Sequence, residues 1–175
     1  MPMVTLRAIE PEDLDLMYRI ENDPTVWQHG SSRQPLSRYA MREFILQSQS
    51  DIFKDEQLRL TILSEGRAVG FLDLCQFSPL HQRAEVGIVV SAATRRRGIA
   101  RQALLALMNY IKANLPIRII YAVVAEGNEP ALRLFPSAGF THQALLPSWV
   151  VVGQQPTDAH LWVYQLPTPS AQLER

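Results

Sequence analysis

A single cysteine and the lack of a charge excess limit what this chain can be. Cys75 has no second cysteine to pair with, so no disulfide forms within the chain, which fits a reducing compartment. The 17 basic residues match the 17 acidic ones, and this balance gives no support to bulk binding of nucleic acid or of a membrane surface. No stretch approaches the ~20 apolar residues of a membrane helix, and the first residues do not resemble a secretion signal. We therefore expect a soluble, cytoplasmic protein.

Motifs for three common kinds of site are also missing. The dinucleotide fingerprint Gly-x-Gly-x-x-Gly and the phosphate loop that ends in Gly-Lys-Ser/Thr do not occur. The histidines have no metal-ligand spacing between them, so we expect no metal site. They are His29, His81, His142 and His160.

The 175 residues, 47% of them hydrophobic, suffice for one domain with a full core, and no composition shift divides them. We expect a single domain over residues 1–175, with 167–175 as a frayed tail. Strands are predicted at 3–9, 58–63, 68–77, 84–90, around Phe140, at 160–166 and, buried on both faces, at 117–125. Helices are predicted from Pro11 to about Glu21, at 37–49, from about Ile99 to Leu115, and after Asn128. This order predicts an open mixed sheet with helices on both faces, in the α/β (α+β) class.

Residues 84–115 combine an apolar strand, a basic turn and the start of an apolar helix. The turn reads Arg95-Arg96-Arg97-Gly98-Ile99-Ala100. Its arginines can form forked hydrogen bonds to a diphosphate, and a glycine lets a ligand approach the unpaired N–H groups of the helix N-terminus. The alternative is a solvated basic turn, because charge runs often lie at the surface. The pair Gly98 and Ala100 at a strand-to-helix junction favours the anion site.

The same turn fits the pattern Arg/Gln-x-x-Gly-x-Gly/Ala, and it follows a strand that contains Ala84-Glu85-Val86-Gly87. A second block, at 123–140, has Asn128 after a strand and a short helix that ends at Gly139-Phe140. Together the two blocks resemble the acyl-CoA-binding region of the GCN5-related N-acetyltransferase (GNAT) family. Over residues 4–166 the chain is similar to the RimL-like and spermidine N-acetyltransferase branches of that family.

This resemblance implies the GNAT acyltransferase fold, a mixed and mostly antiparallel sheet of about six to seven strands, with acetyl-CoA as the cosubstrate. In that fold the strands at 84–90 and 117–125 are parallel and splay apart, and the pantetheine amides pair with the first of them. The first two helices and their connection form one wall of the acceptor pocket, whose implied residues are Trp27, His29 and Glu85. The implied cofactor-binding residues are Ile88, Val89, Val90, Arg95, Arg96, Arg97, Gly98, Ile99, Ala100, Asn128 and Phe135.

Direct attack of an amine on a thioester requires a base for the amine and an acid for the thiolate. Glu85 is the candidate base, and its structural alternative is a surface or ion-paired strand glutamate. Many relatives place a proton-donating tyrosine where this chain has Phe135, which has no proton to give. Tyr110, Tyr121 and Tyr164 are candidate substitutes, although each falls in a predicted strand or helix and is expected in the core. Pro136 is expected to end or kink its helix.

We expect an acetyl-CoA-dependent N-acetyltransferase whose acceptor is a primary amine on a small molecule or a protein N-terminus. One alternative is a non-catalytic acyl-CoA-binding protein, which Phe135 would suit. Another is a polyamine acetyltransferase, although the segment from Gln28 to Gln34 holds no acidic residue that would attract a polyamine. Dimers are common among the relatives, so a homodimer is a further expectation.

Overall fold

A computed structural model of the chain describes residues 3–27 and 34–167. Seven strands form one sheet: β1 (Val4–Ala8), β2 (Leu58–Ser64), β3 (Arg67–Ser78), β4 (Arg83–Val90), β5 (Ile119–Ala125), β6 (Thr141–Val152) and β7 (Gln155–Gln165). The helices are α1 (Leu14–Glu21), α2 (Pro24–Trp27), α3 (Arg38–Gln47), α4 (Ile52–Asp55), α5 (Ile99–Asn114) and α6 (Glu129–Ser137). Short 3₁₀ turns occupy Pro11–Asp13 and Ala92–Thr94.

The strands follow the order β1-β2-β3-β4-β5-β7-β6 across the sheet. The first four form an antiparallel run, and β5, β7 and β6 form a second one. Between these runs, β4 and β5 are parallel and are joined by a crossover that contains α5. The predicted mixed sheet is therefore confirmed.

Helices cover both faces of the sheet, as the sequence predicts. Helices α5 and α6 pack on the larger core. The predicted apolar stripe of α5 is buried there, with Leu104, Leu107, Met108 and Ile111 at most 4% exposed, and burying each such side chain contributes about 1.5–3 kcal/mol. Helices α1 and α3 cover the opposite face, in a smaller cluster that includes Met17, Met41 and Phe71.

A buried carboxylate fastens the start of α1 to the sheet. Asp13 is 2% exposed and accepts two hydrogen bonds from the Arg7 guanidinium, at 2.7 and 2.8 Å. It also accepts one from the Glu10 backbone N–H at 2.9 Å and one from the Thr61 hydroxyl at 2.7 Å. Burial alone would raise the pKa of Asp13, but these donors hold it below its ordinary value. The anchor therefore favours the ionised carboxylate.

Three details differ from the prediction. Strand β5 alternates between buried and partly exposed residues instead of being buried on both faces, because only its face with Ile120, Ala122 and Val124 packs in a core cluster. Helix α6 continues through Pro136 to Ser137, and it ends where Gly139 takes a φ of 93° and the Phe140 N–H donates to the Phe135 carbonyl at 3.1 Å. The strand expected around Phe140 is the 12-residue β6, which pairs with β7 through a tight turn.

No helix within residues 3–27 and 34–167 is long and apolar enough to span a membrane. Of the tail expected at 167–175, all but Pro167 lies outside the described residues.

The substitution Asp13→Asn should lower the free energy of unfolding by about 3 kcal/mol, because removing one charge of a buried ion pair leaves the other without a compensating charge. Urea denaturation at neutral pH, followed by circular dichroism, measures this loss. Asp15→Asn is the control, since the Asp15 carboxylate pairs with Arg38 at the surface and should matter little. Equal losses in the two variants would contradict the anchoring role of Asp13.

Candidate active site

The parallel pairing of β4 with β5 is short. Arg83 lies opposite Ile119, and Glu85 lies opposite Tyr121, where the register ends within the described chain. Both strands nevertheless continue beyond this point, β4 to Val90 and β5 to Ala125. The two strands therefore leave a gap at their carboxyl ends, which confirms the predicted splay.

Backbone groups of β4 face this gap. The Ser91 N–H donates to the Val69 carbonyl at 2.8 Å, on the β3 side. Because backbone polar groups alternate in direction along a strand, those of Val89 also point toward β3, while those of Ile88 and Val90 point into the gap. Ile88 and Val90 can therefore pair with the amides of an extended ligand, as predicted. The backbone groups of Val89 point away from the gap, and its cofactor contact stays a prediction.

The turn between β4 and α5 has an unusual backbone. Arg96 and Gly98 take φ values of 63° and 75°, and a non-glycine residue at positive φ is a form of strain that clusters at binding sites. Gly98 is the N-cap residue of α5, and a Cβ there would meet only the Gln102 side chain, at 4.0 Å. No described residue accepts a hydrogen bond from the backbone N–H groups of residues 97–100. These donors are open to an approaching anion, as the prediction of an anion site requires.

Three cations surround these donors. Arg95, Arg96 and Arg97 are exposed, and no described carboxylate forms an ion pair with them. The Arg95 Nε donates to the Val90 carbonyl at 3.0 Å, which places this guanidinium beside the gap. The first turn of α5, which begins with Ile99 and Ala100, contains no acidic residue. Charge and backbone donors together suit a diphosphate.

The second predicted cofactor block forms the turn from β5 into α6. The Asn128 side chain caps α6 by accepting from the Ala131 N–H at 3.4 Å. Phe135 is 4% exposed and packs edge-on against Phe140, with ring centroids 5.0 Å apart. Cofactor contacts of Asn128 and Phe135 stay predictions.

Glu85 lies where the gap between β4 and β5 begins, on the face of the sheet covered by α1 and α3. Its cross-strand neighbours are Cys75 on β3 and Tyr121 on β5. The side chain is half-buried, and no described residue forms an ion pair with its carboxylate. Burial raises the pKa of Glu85 above its ordinary value. An unpaired carboxylate with a raised pKa is what a general base near neutral pH requires.

Further carboxylates lie on the same face. The Arg59 guanidinium donates two hydrogen bonds to Asp73, at 2.6 and 2.9 Å, and one to Glu21 at 2.7 Å. Burial alone would lower the pKa of Arg59, but Asp73 and Glu21 raise it above its ordinary value, so Arg59 stays charged. One positive and two negative charges leave this network net negative, and Glu85 adds a further negative charge.

Gly87 leaves space beside these carboxylates. It lies opposite Asp73 in the register of β3 and β4, two residues from Glu85. The nearest atom to a Cβ placed on Gly87 would be the Asp73 Cβ, at 3.9 Å. The surface of the sheet is therefore open at Gly87, between Asp73, Glu85 and the gap.

The remaining predicted site residues differ in their positions. The Trp27 indole donates to the Glu21 carbonyl at 2.6 Å, which places it at the end of α1 beside the Glu21 and Arg59 pair. His29 lies outside the described residues. The Cys75 thiol donates to the Glu85 carbonyl at 3.8 Å, and burial, Glu85 and Asp73 raise its pKa to about 11. A thiol that stays protonated is a poor acyl carrier.

Four residues of this face were not predicted as site residues: Glu21, Arg59, Asp73 and Gly87. Arg59 and Asp73 each interrupt an otherwise apolar strand, and this was a usable signal, because a charge in such a place needs a partner or a function. Their pairing with Glu21 could not be read from the sequence, since it joins β2, β3 and α1.

Comparisons with known proteins agree with this geometry. A family model described as "Acetyltransferase (GNAT) domain" matches residues 3–141, most of the chain. The chain belongs to the GNAT acetyltransferase family. It is therefore an N-acetyltransferase that moves an acetyl group from acetyl-CoA to an amine, and the predicted enzyme class and cosubstrate are confirmed.

Individual GNAT relatives cover nearly the whole chain. The spermidine N(1)-acetyltransferase of Escherichia coli K12 is 23% identical over 93% of this chain and 86% of its own length. A crystal structure of spermidine N-acetyltransferase from Vibrio cholerae, in complex with CoA and spermine, is 21% identical and has a TM-score of 0.83 over 93% of this chain and 95% of its own. The ribosomal L7/L12 alpha-N-protein acetyltransferase RimL, in complex with coenzyme A, has the same TM-score at 16% identity, over 93% and 94% of the two chains.

Gly98→Asp should abolish measurable binding of coenzyme A while the fold is kept, because a carboxylate at this turn repels a diphosphate. Isothermal titration calorimetry with coenzyme A measures the loss. Gly66→Asp is a matched control, since Gly66 has nearly the same φ, 74°, and open space around it, in the turn between β2 and β3. Unchanged affinity in Gly98→Asp would remove the anion site from this turn.

Proposed function

We propose that the acceptor is a small primary amine that carries further positive charge, and that Glu85 is the general base. The half-buried Glu85 carboxylate supports this most directly, since it has no ion-pair partner among the described residues and borders the gap. The net negative network of Glu21, Arg59 and Asp73 supports a cationic acceptor.

Spermidine is the first acceptor to test. The segment from Gln28 to Gln34 lacks acidic residues, which counts against a polyamine, but the sheet face under α1 and α3 supplies carboxylates instead. The names of the relatives point the same way, because those from Escherichia coli and Vibrio cholerae are spermidine acetyltransferases. A polyamine could reach Glu85 with one nitrogen while another approaches Asp73 across Gly87.

A base is needed because such amines are protonated at neutral pH. An alkylamine with a pKa near ~10.4 must lose its proton against ~3.4 units at pH 7, which costs roughly 4.6 kcal/mol. Glu85 can accept this proton, and its raised pKa makes it a better base than an exposed glutamate. Asp73 is less suited to this role, because both of its oxygens accept hydrogen bonds from Arg59.

The other residues of the site would bind and orient acetyl-CoA. Acetyl-CoA supplies an activated acetyl thioester. The turn from Arg95 to Ala100 would hold its diphosphate, with arginine side chains and the N–H groups of residues 97–100 as donors. The backbone groups of Ile88 and Val90, which face the gap, would pair with an extended chain of amides. Glu85 then lies at the end of the gap where the acceptor enters.

Homodimer formation and a cytoplasmic location stay predictions. The edge strand β6 exposes Leu145 and Trp149, which a second copy of the chain could cover.

Among small amines, putrescine and spermidine should be acetylated with a kcat/KM about tenfold or more above that of butylamine, which lacks the second charge of putrescine. A thiol-release assay over these amines, amino acids and short peptides measures this order. Increasing the salt concentration should reduce the difference in kcat/KM between these amines, because salt screens the attraction between the additional positive charge and the carboxylates of the site. Acetylation of peptides alone would assign a protein N-terminus instead, and tight acetyl-CoA binding without any turnover would return the chain to a non-catalytic binder.

Glu85→Gln should lower kcat/KM by about a hundredfold or more and remove the acidic limb of its pH profile. In the unsubstituted enzyme, activity should fall as pH drops through the raised pKa of Glu85, since only the carboxylate accepts a proton. Glu12→Gln, in the exposed 3₁₀ turn before α1, is the control and should leave the profile unchanged. A Glu85→Gln enzyme that keeps the acidic limb would show that another group is the base.

A further inference from the structure

The departing thiolate needs a proton, and the position where a tyrosine is expected holds Phe135. Its ring is 4% exposed and packs on Phe140 in the core, on the α6 side of the sheet. A phenyl ring offers no proton, and helix α6 does not supply another tyrosine. A donor must therefore come from a different element.

Only one of the five tyrosines adjoins the gap. Tyr18 lies under the Arg38 guanidinium on α1, and Tyr39 is 74% exposed at the start of α3. Tyr110 lies on α5 and lines a cavity beside β1. Tyr164 packs on Phe140, on the face covered by α6. Tyr121 alone stands on β5 directly opposite Glu85, at the last paired position before the strands separate.

Tyr121 and Glu85 also interact electrostatically. Burial and the Glu85 carboxylate raise the pKa of Tyr121, Cys75 acts in the same direction, and Arg83 lowers it. The phenol is therefore protonated at neutral pH, as a proton donor must be. Across the strand on its other side Tyr121 faces Val163, which carries no charge.

We propose that Tyr121 is the catalytic residue that donates a proton to the departing sulfur, and that Glu85 restores that proton. This inference rests on the proposed function, in which Glu85 accepts the proton of the attacking amine. As the carbon–nitrogen bond forms and the carbon–sulfur bond breaks, the Tyr121 hydroxyl gives its proton to sulfur. The proton held by Glu85 then passes to the Tyr121 oxygen. Nitrogen loses two protons in all. The first leaves the ammonium through Glu85 to solvent before the attack, and the second, which Glu85 takes up as the amide forms, replaces the proton that Tyr121 gives to sulfur. Both side chains therefore return to their starting states.

Tyr121→Phe should lower kcat by about a hundredfold, with the affinity for coenzyme A, measured by calorimetry, unchanged. Tyr164→Phe is the control, because it removes the hydroxyl of another half-buried tyrosine on the opposite face, and it should keep full activity. A Tyr121→Phe enzyme with unchanged kcat would overturn the inference.

A second measurement does not depend on turnover. Ultraviolet titration of tyrosinate, with Tyr121→Phe as the reference, gives the pKa of Tyr121 in the protein without ligands. Glu85→Gln should lower this pKa, because it removes a nearby negative charge. An unchanged value would show that the two groups are too far apart to share a proton.

The two proposals can fail separately. If no amine is acetylated, the proposed function fails, whatever the titration shows. If an amine is acetylated and Tyr121→Phe matches the unsubstituted enzyme, the assignment of Tyr121 alone is wrong.

Discussion

The early end of the hydrogen-bond register between β4 and β5 is the constraint on which the site depends. A parallel pair that continued to Val90 and Ala125 would use the backbone groups of Ile88 and Val90 and would close the space beyond Glu85. The sheet tolerates the gap because β3 holds the other edge of β4, and β7 holds the other edge of β5 along its whole length. Backbone N–H and C=O groups that have no neighbouring strand to pair with favour a ligand that carries amides.

The gap also separates two regions of opposite charge. Arg95, Arg96 and Arg97 stand at the end of β4, where the chain enters α5. The network of Glu21, Arg59 and Asp73, together with Glu85, lies on the face under α1 and α3. A formal net charge of zero for the whole chain describes neither region. An anionic cosubstrate and the proposed cationic acceptor would thus each be attracted to a different side of one opening.

Local signals in the sequence predicted the strands, the helices and the turn proposed to hold the cofactor. Hydrophobic periodicity and helix capping depend on residues only a few positions apart. The apolar stripe of α5, the cap at Asn128 and the turn at Gly98 are of this kind. The acidic region and the Asp13 anchor were not predicted, because their contacts join residues far apart in the chain: Arg59 to Glu21 on α1, and Thr61 to Asp13. Only the packed structure shows that Tyr121, expected in the core, lies opposite Glu85 at the last paired position before the gap.

The buried Asp13 carboxylate and the half-buried Glu85 carboxylate show that folding and acid–base chemistry favour opposite pKa shifts. Donors lower the pKa of Asp13, so its stabilisation is present above the pKa of the unfolded chain and is lost as pH falls through the folded value. Burial raises the pKa of Glu85, so any stabilisation it gives is present only below the unfolded value and is lost as pH rises through the folded one. At neutral pH Asp13 therefore stabilises the fold, whereas an ionised Glu85 opposes it. A half-buried carboxylate that opposes folding and borders the gap fits the proposed role of Glu85 as the base.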